Sequence, residues 1–410
     1  MTPKKYIFAP YHKTMKNIIE DIKQLSNKYL EDVISIRRAI HSNPELAFEE
    51  HKTAGLIASA LNKYGIENEK GIAKTGVVAL IKGKNPEKKT VALRADMDAL
   101  PIRELNDVEY KSKNDGIMHA CGHDVHTASL IGTAIILQKL RTEFEGSVKL
   151  IFQPSEEKYP GGAKVMIEEG VLKKPSPELI FGQHVYPDIE AGKIGMKSGK
   201  YMASTDEIFL TVKGKGGHGA LPHKNIDPVI IASHIIIALQ QIVSRNARPD
   251  MPTVLSFGRF VADGQTNVIP DKVEIAGIMR TFDENWRKKI KEKVTKMAKG
   301  IAESMGGECD VFIDQGYPVL VNDDSLTQKA KKYAIEYLGE ENVIDLELRT
   351  TAEDFAYFTQ QIPGCFYRLG VRNEKRGITS NLHTATFDVD EKSLETGMGL
   401  MAWLTVKSLL

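Results

Sequence analysis

The feature that most constrains this chain is a change of rhythm near Met202. Before it, short β-branched runs at 76–82, 90–95, 148–153 and 179–185 alternate with helical patterns. Strands alternating with helices build an α/β domain around a largely parallel sheet, because each helix carries the chain back to start the next strand at the same end. Apolar residues at Ile18, Ile22, Leu25, Leu30, Val33, Ile36 and Ile40 predict a helix over 15–40, which Asn43-Pro44 stops. A second helix is expected over 49–64 and a long apolar one over 124–140.

After Met202 the pattern predicts strand 206–213, helix 227–243, strands 253–261 and 272–280, helix 283–305 and strand 308–314. That order, β-α-β-β-α-β, is the ferredoxin-like unit. Helix-strand alternation resumes beyond Gly316. The chain is therefore expected to form one α/β domain in two pieces, 15–200 and 316–410, with a separate α+β domain inserted at 201–315.

Charge narrows the partner. With 55 Lys+Arg against 54 Asp+Glu the net charge is +1, so no global field draws the chain to nucleic acid or to an anionic membrane. A small molecule is the expected ligand, and no transmembrane segment is expected. Three cysteines, Cys121, Cys309 and Cys365, are too few for a disulfide framework in 410 residues and fit a reducing, cytoplasmic setting. The segment 1–13 is basic without a secretory pattern and reads as a loose leader, with Met15 an alternative start.

Two clusters carry chemistry. Met118-His119-Ala120-Cys121-Gly122-His123-Asp124-Val125-His126 packs a cysteine and three histidines just before the long helix. In α/β sheets the loops leaving strand ends hold ligands, and cysteine with histidine favours zinc-like ions over calcium or magnesium. The second cluster, Gln153-Pro154-Ser155-Glu156-Glu157, follows a predicted strand. Adjacent carboxylates at a strand end ordinarily mean a solvated turn; the alternative is that the neighbouring side chains diverge, so that Glu157 can ligate a metal while Glu156 faces the metal-bound water as a general base. His184 closes the next apolar run, and Asp96 and Asp98 follow another, placed to orient a ligating histidine. His383 lies in the polar segment Asn381-Leu382-His383-Thr384, where simple exposure is the ordinary reading.

One formal match fails. Gly214-Lys215-Gly216-Gly217-His218-Gly219 satisfies the dinucleotide fingerprint, yet Pro222 interrupts the required helix start, and no acidic residue occurs between Asp227 and Asp250. The glycines are left as a flexible support for His218.

Taken with Arg37-Arg38-Ala39-Ile40-His41-Ser42-Asn43-Pro44-Glu45, Pro222-His223 and Gly264-Gln265-Thr266-Asn267-Val268-Ile269-Pro270, these motifs make the chain similar to the amidohydrolase branch of the dinuclear-metal peptidases. That branch includes aminoacylases, hippurate hydrolase, thermostable carboxypeptidases and auxin-conjugate hydrolases. The resemblance implies a zinc-peptidase-like catalytic domain with an inserted ferredoxin-like dimerisation domain. It implies Cys121, His123, Glu157, His184 and His383 as ligands of two divalent ions, zinc, manganese, cobalt or nickel. It assigns Glu156 as general base with Asp98 in support, His218 as a group reaching the active site of the other subunit, and Arg280 and Asn267 as substrate contacts. Commoner relatives carry aspartate where this branch has Cys121.

The expected activity is hydrolysis of N-acyl-L-amino acids by a homodimer or dimer-based homotetramer. Alternatives are a carboxypeptidase on short peptides, an N-acetyl-diaminopimelate deacetylase and, from a different class, a non-enzymatic metal-binding scaffold. Glu156 weighs against the scaffold, because a metal store needs no base beside its ligands.

Overall fold

A computed structural model describes residues 15–410. The reading of 1–13 as a leader lies outside the described residues. The described residues divide into two compact units, 15–199 with 322–346 and 358–410, and 200–321 with 347–357.

The first unit is built on an eight-stranded mixed sheet. In spatial order its strands are Glu67–Ile72, Gly76–Lys82, Ser147–Gln153, Thr90–Asp96, Leu179–Glu190, Gly364–Arg372, Ile194–Met196 and Val343–Asp345. The four central strands run parallel, as the alternating pattern predicts. Antiparallel pairs flank them, because Gly76–Lys82 folds back on Glu67–Ile72 and Ile194–Met196 lies antiparallel to Gly364–Arg372. Every residue of Thr90–Asp96 and Ser147–Gln153 is buried, the pattern of strands covered on both faces.

Helix Met15–His41 buries Ile18, Ile22, Ser26, Tyr29, Val33, Arg37 and Ile40, a single stripe at spacings of three and four, and also His41 at its end. It packs on helices His123–Lys139 and Ser393–Leu409. His123–Lys139 is buried from His123 through Leu137, so it is enclosed on all sides rather than along one stripe. Each fully buried Leu, Ile or Val there contributes about 1.5–3 kcal/mol, which makes this helix a rigid base for its N-terminal His123.

The second unit contains a four-stranded antiparallel sheet in the order Thr253–Val261, Lys272–Thr281, Asp206–Lys213, Glu308–Gln315. With helices Pro228–Gln241 and Glu284–Ser304 this is the ferredoxin-like arrangement that the sequence predicts. Asp227 caps the first helix by accepting from Val229 and Ile230, and Asp283 caps the second by accepting from Trp286. The apolar stretch Pro228–Asn246 is long enough to pass for a membrane span by composition, yet Ile231, Ala232, Ile235, Leu239 and Ile242 are buried in the core of this unit.

Beyond the expected 201–315, residues 316–321 and 347–357 also group with the second unit. Backbone pairing ties in 347–357. Ala203 N–H donates to the carbonyls of Arg349 and Thr351, and Arg349 N–H donates to that of Tyr201. Such pairing between distant segments has no local sequence signature.

Candidate metal centre

The candidate ligands converge in the first unit. Gly122 sits at φ +78° as the residue before helix His123–Lys139, and a Cβ there would meet Val185 Cγ2 at 2.5 Å. Only glycine satisfies both demands, so the turn between Cys121 and His123 brings both side chains to one place. Cys121 Sγ lies 3.4 Å from His184 Nε2 and 3.3 Å from His383 Nε2. His383 Nε2 is 3.2 Å from Glu157 Oε1, and His123 Nε2 is 4.0 Å from the same oxygen. Three overlapping groups, Cys121–His123–His184, Cys121–Glu157–His383 and His123–Glu156–Glu157, each hold ligand atoms within 4.8 Å of one another.

His383 is exposed, as its polar surroundings predict, and also reaches the centre, because its N–H donates to the carbonyl of Ala120 at 2.8 Å. His184 departs from expectation in one respect. The strand continues to Glu190, so His184 sits within it rather than at its end. Its Nδ1 donates to the Val185 carbonyl at 2.7 Å, which leaves Nε2 with a free lone pair facing Cys121.

Asp98 organises the carboxylate side. Its Oδ1 lies 3.1 Å from His123 Nδ1, and its two oxygens accept the N–H groups of Glu156 and Glu157, each at 2.9 Å. Asp96 pairs instead with His126, whose Nδ1 is 2.5 Å away, and with Arg94 at 2.6 Å. His126 Nε2 accepts the N–H of Val185, so both its nitrogens are engaged. His119, from the same cluster, is buried with neither ring nitrogen hydrogen-bonded among the described residues.

The donor set suits cations. His123 Nε2 and Glu157 Oε1 are buried without a hydrogen-bond partner among the described residues, an arrangement that is costly unless something else binds there. Burial, reinforced by Glu157, Glu156 and Asp96, pushes the Cys121 thiol well above its usual range. Burial acts against charge on His123, but Asp96, Asp98 and Glu157 more than offset it and raise the imidazole to about 10. The surrounding carboxylates therefore favour positive charge at this place.

Behind it lies a buried network that the motif around Arg37 only hinted at. Arg37 Nε donates to Asp124 Oδ2 at 2.7 Å, and His41 Nδ1 lies 2.8 Å from the same oxygen. Arg37 also reaches Asp388 and Glu391, each at 3.3 Å. Glu50, whose carboxylate accepts the N–H of Ser155, was not singled out by the sequence, where it resembles any acidic residue at a helix start.

His218, Asn267 and Arg280 belong to the second unit. His218 pairs with Val268 in a short ladder, and Gly219 N–H donates to the Asn267 carbonyl at 2.8 Å, so that His218 and Asn267 are neighbours. Both are exposed, whereas Arg280 is half-buried in strand Lys272–Thr281. No helix starts directly after Gly219; a short turn at Pro222–Lys224 precedes the helix beginning at Pro228, consistent with rejecting the nucleotide fingerprint.

Residues 92–406 match the family described as Peptidase family M20/M25/M40. The chain is 42% identical over 392 residues to thermostable carboxypeptidase 2 of Saccharolobus solfataricus, covering 94% of this chain and 98% of that protein. It is 44% identical over 305 residues to an N-acyl-L-amino acid amidohydrolase of Geobacillus stearothermophilus, covering 74% and 82%. Among solved structures, the Bacillus subtilis YXEP protein, a dinuclear metal-binding peptidase of family M20, superposes with a TM-score of 0.81 at 37% identity, covering 93% of this chain and 99% of that one.

Proposed function

The chain belongs to the M20/M25/M40 peptidase family, and from that premise we propose that it hydrolyses the amide bond of N-acyl-L-amino acids, releasing a carboxylate and a free amino acid. It is a metal-dependent hydrolase of that family, which removes the scaffold reading. The observation that carries the substrate proposal is the convergence of Cys121, His123, Glu157, His184 and His383 beside a sixth residue, Glu156, that adjoins the ligand groups.

Cys121, His123, Glu157, His184 and His383 would hold two divalent cations. When bound, these supply Lewis acidity to the scissile carbonyl and make water acidic near neutral pH. Zinc, manganese, cobalt and nickel all suit imidazole and carboxylate donors. Glu156 takes a proton from the attacking water and returns it to the leaving amine. Asp98 keeps His123 oriented and anchors the backbone of Glu156 and Glu157. A cytoplasmic setting accords with Cys121, Cys309 and Cys365 all being free thiols.

The second unit would pair two copies of the chain. Support comes from Ile230 and Ile237, 50% and 72% exposed on helix Pro228–Gln241, and from strand Thr253–Val261, which lies at the edge of its sheet. In that dimer His218 serves the other subunit's centre by steadying the oxyanion, a contribution of about 3 kcal/mol, while Arg280 and Asn267 face the substrate carboxylate. A dimer-based tetramer would use the same pairing.

Carboxypeptidase action on short peptides is a second reading, favoured by the 42% identity to a thermostable carboxypeptidase. Kinetics of the metal-loaded protein on N-acetyl and N-benzoyl amino acids, N-acetyl-diaminopimelate and dipeptides separate the readings. Higher kcat/KM on the N-acyl amino acids is expected, and preference for dipeptides would transfer the proposal to the second reading.

A further inference from the structure

The loop carrying Glu156 and Glu157 is held in a conformation that its own residues do not favour. Ser155 has φ +52°, in the left-handed region that non-glycine residues seldom adopt. Three successive N–H groups from this point each donate to a buried carboxylate. Those of Glu156 and Glu157 reach Asp98, and that of Ser155 reaches Glu50 Oε1 at 2.9 Å. Glu50 comes from a distant segment, at the start of helix His51–Lys63, and is fully buried. Its Oε1 also accepts from Phe48 N–H at 3.0 Å, and its Oε2 accepts from Thr75 Oγ1 at 2.5 Å.

The other side of the loop is closed by backbone. Gly162 N–H donates to the Ser155 carbonyl at 2.7 Å, and a Cβ on Gly162 would come within 1.7 Å of the Pro154 oxygen. Ser155 is thus fixed from both sides, and Glu50 is the side chain that takes up its N–H. Burial pushes the Glu50 carboxyl up to about 7 even though Thr75 and Ser155 donate to it, so the fold bears a cost to keep a carboxylate here.

We infer that Glu50 is a positioning residue for the metal centre: its Oε1 holds Ser155 in the left-handed conformation and so sets where Glu156 and Glu157 point. The inference rests on the roles proposed above for those two glutamates. Glu50 acts on the base Glu156 and the ligand Glu157 through the backbone of Ser155. Groups that orient metal ligands from behind typically affect affinity or activity about 10- to 100-fold.

The test uses the full chain stripped of metal, with zinc alone titrated against a chromophoric chelator, followed by kcat and KM for N-acetyl-L-methionine after loading and a melting temperature for each variant. Glu50→Ala is expected to lower zinc affinity and kcat about 10- to 100-fold with little change in KM. Glu50→Gln keeps an oxygen for Ser155 and Phe48 and turns its amide toward the Thr75 hydroxyl, so it should stay close to wild type in both. A merely structural role would lower the melting temperature and leave the zinc affinity of the folded variants intact. That result, or a Glu50→Gln as impaired as Glu50→Ala, overturns the inference. Glu156→Gln and Glu157→Gln run alongside keep the two readings apart. If the first retains turnover and the second retains zinc, the proposed roles fail whatever the Glu50 variants do.

Discussion

Nδ1 of His123 lies 3.1 Å from Oδ1 of Asp98, and this contact turns the other ring nitrogen toward Glu157, 4.0 Å from its Oε1. The same carboxylate binds the N–H groups of Glu156 and Glu157. Asp98 therefore joins a ligand at a helix start to one in the loop after a strand through one rigid group. Asp98→Ala should lower zinc affinity by about 10- to 100-fold, read by chelator competition. Unchanged affinity would mean that His123 and Glu157 hold their places without it.

The adjacent glutamates should respond differently to the same substitution. Glu156→Gln keeps about two metal ions per chain and loses turnover by roughly 100-fold or more, since an amide packs alike but takes no proton. Glu157→Gln and Cys121→Ala lower the metal content itself. Elemental analysis with single-substrate kinetics measures both, and near-normal turnover in Glu156→Gln would move water activation to another group.

Metal uptake should release protons. The thiol of Cys121 is pushed well above its ordinary range by burial and the surrounding carboxylates. His123, despite its burial, is raised to about 10 by Asp96, Asp98 and Glu157. Both therefore carry protons at pH 7 in the metal-free protein, and ligation removes them, about two per chain. Calorimetric zinc titrations in buffers of different ionisation enthalpy count them; release near zero would exclude Cys121 and His123 as ligands.

Asp124 sets an acid-side stability term. Burial works against its charge, but Arg37 and His41 prevail and hold the carboxyl well below the usual range. A depressed folded pKa stabilises above the unfolded value near 4 and loses that stability as pH falls. Breaking the pair with Asp124→Asn should cost about 3–5 kcal/mol at pH 7. Below about pH 4 the gap to wild type should close by up to about 1.4 kcal/mol per pH unit. Urea unfolding from pH 7 to 3 measures it, and a gap independent of pH would refute the assignment.

Completion of the site across a dimer is tested by mixing. His218→Ala and Glu156→Gln subunits, each inactive alone, should regenerate sites holding both native residues, one from each chain. At full exchange half of the dimers are mixed, each with one intact site, so about a quarter of all sites recover. No recovery, with exchange confirmed by mass, would place His218 in its own chain's site or outside catalysis.

Local pattern determined much of this protein. Short β-type runs marked strands such as Asp206–Lys213 and Thr253–Val261 at the expected residues, and the stripe from Ile18 to Ile40 marked helix Met15–His41. Cys121, His123, Glu156 and Glu157 stood out because rare, ligand-type side chains crowd into two short segments. These properties belong to neighbours in the chain, so the chain displays them.

Tertiary structure decided what depends on partners far apart in sequence. That Asp98 serves His123 while Asp96 serves His126 follows from the register of strand Thr90–Asp96 beside helix His123–Lys139. That Glu50 meets Ser155, 105 positions later, and Arg37 meets Asp124, 87 positions later, required the sheet and helices to be in place. A buried carboxylate is determined by the donors that fold around it. Those donors are backbone N–H groups and long-range side chains whose identity leaves no mark beside it in the sequence.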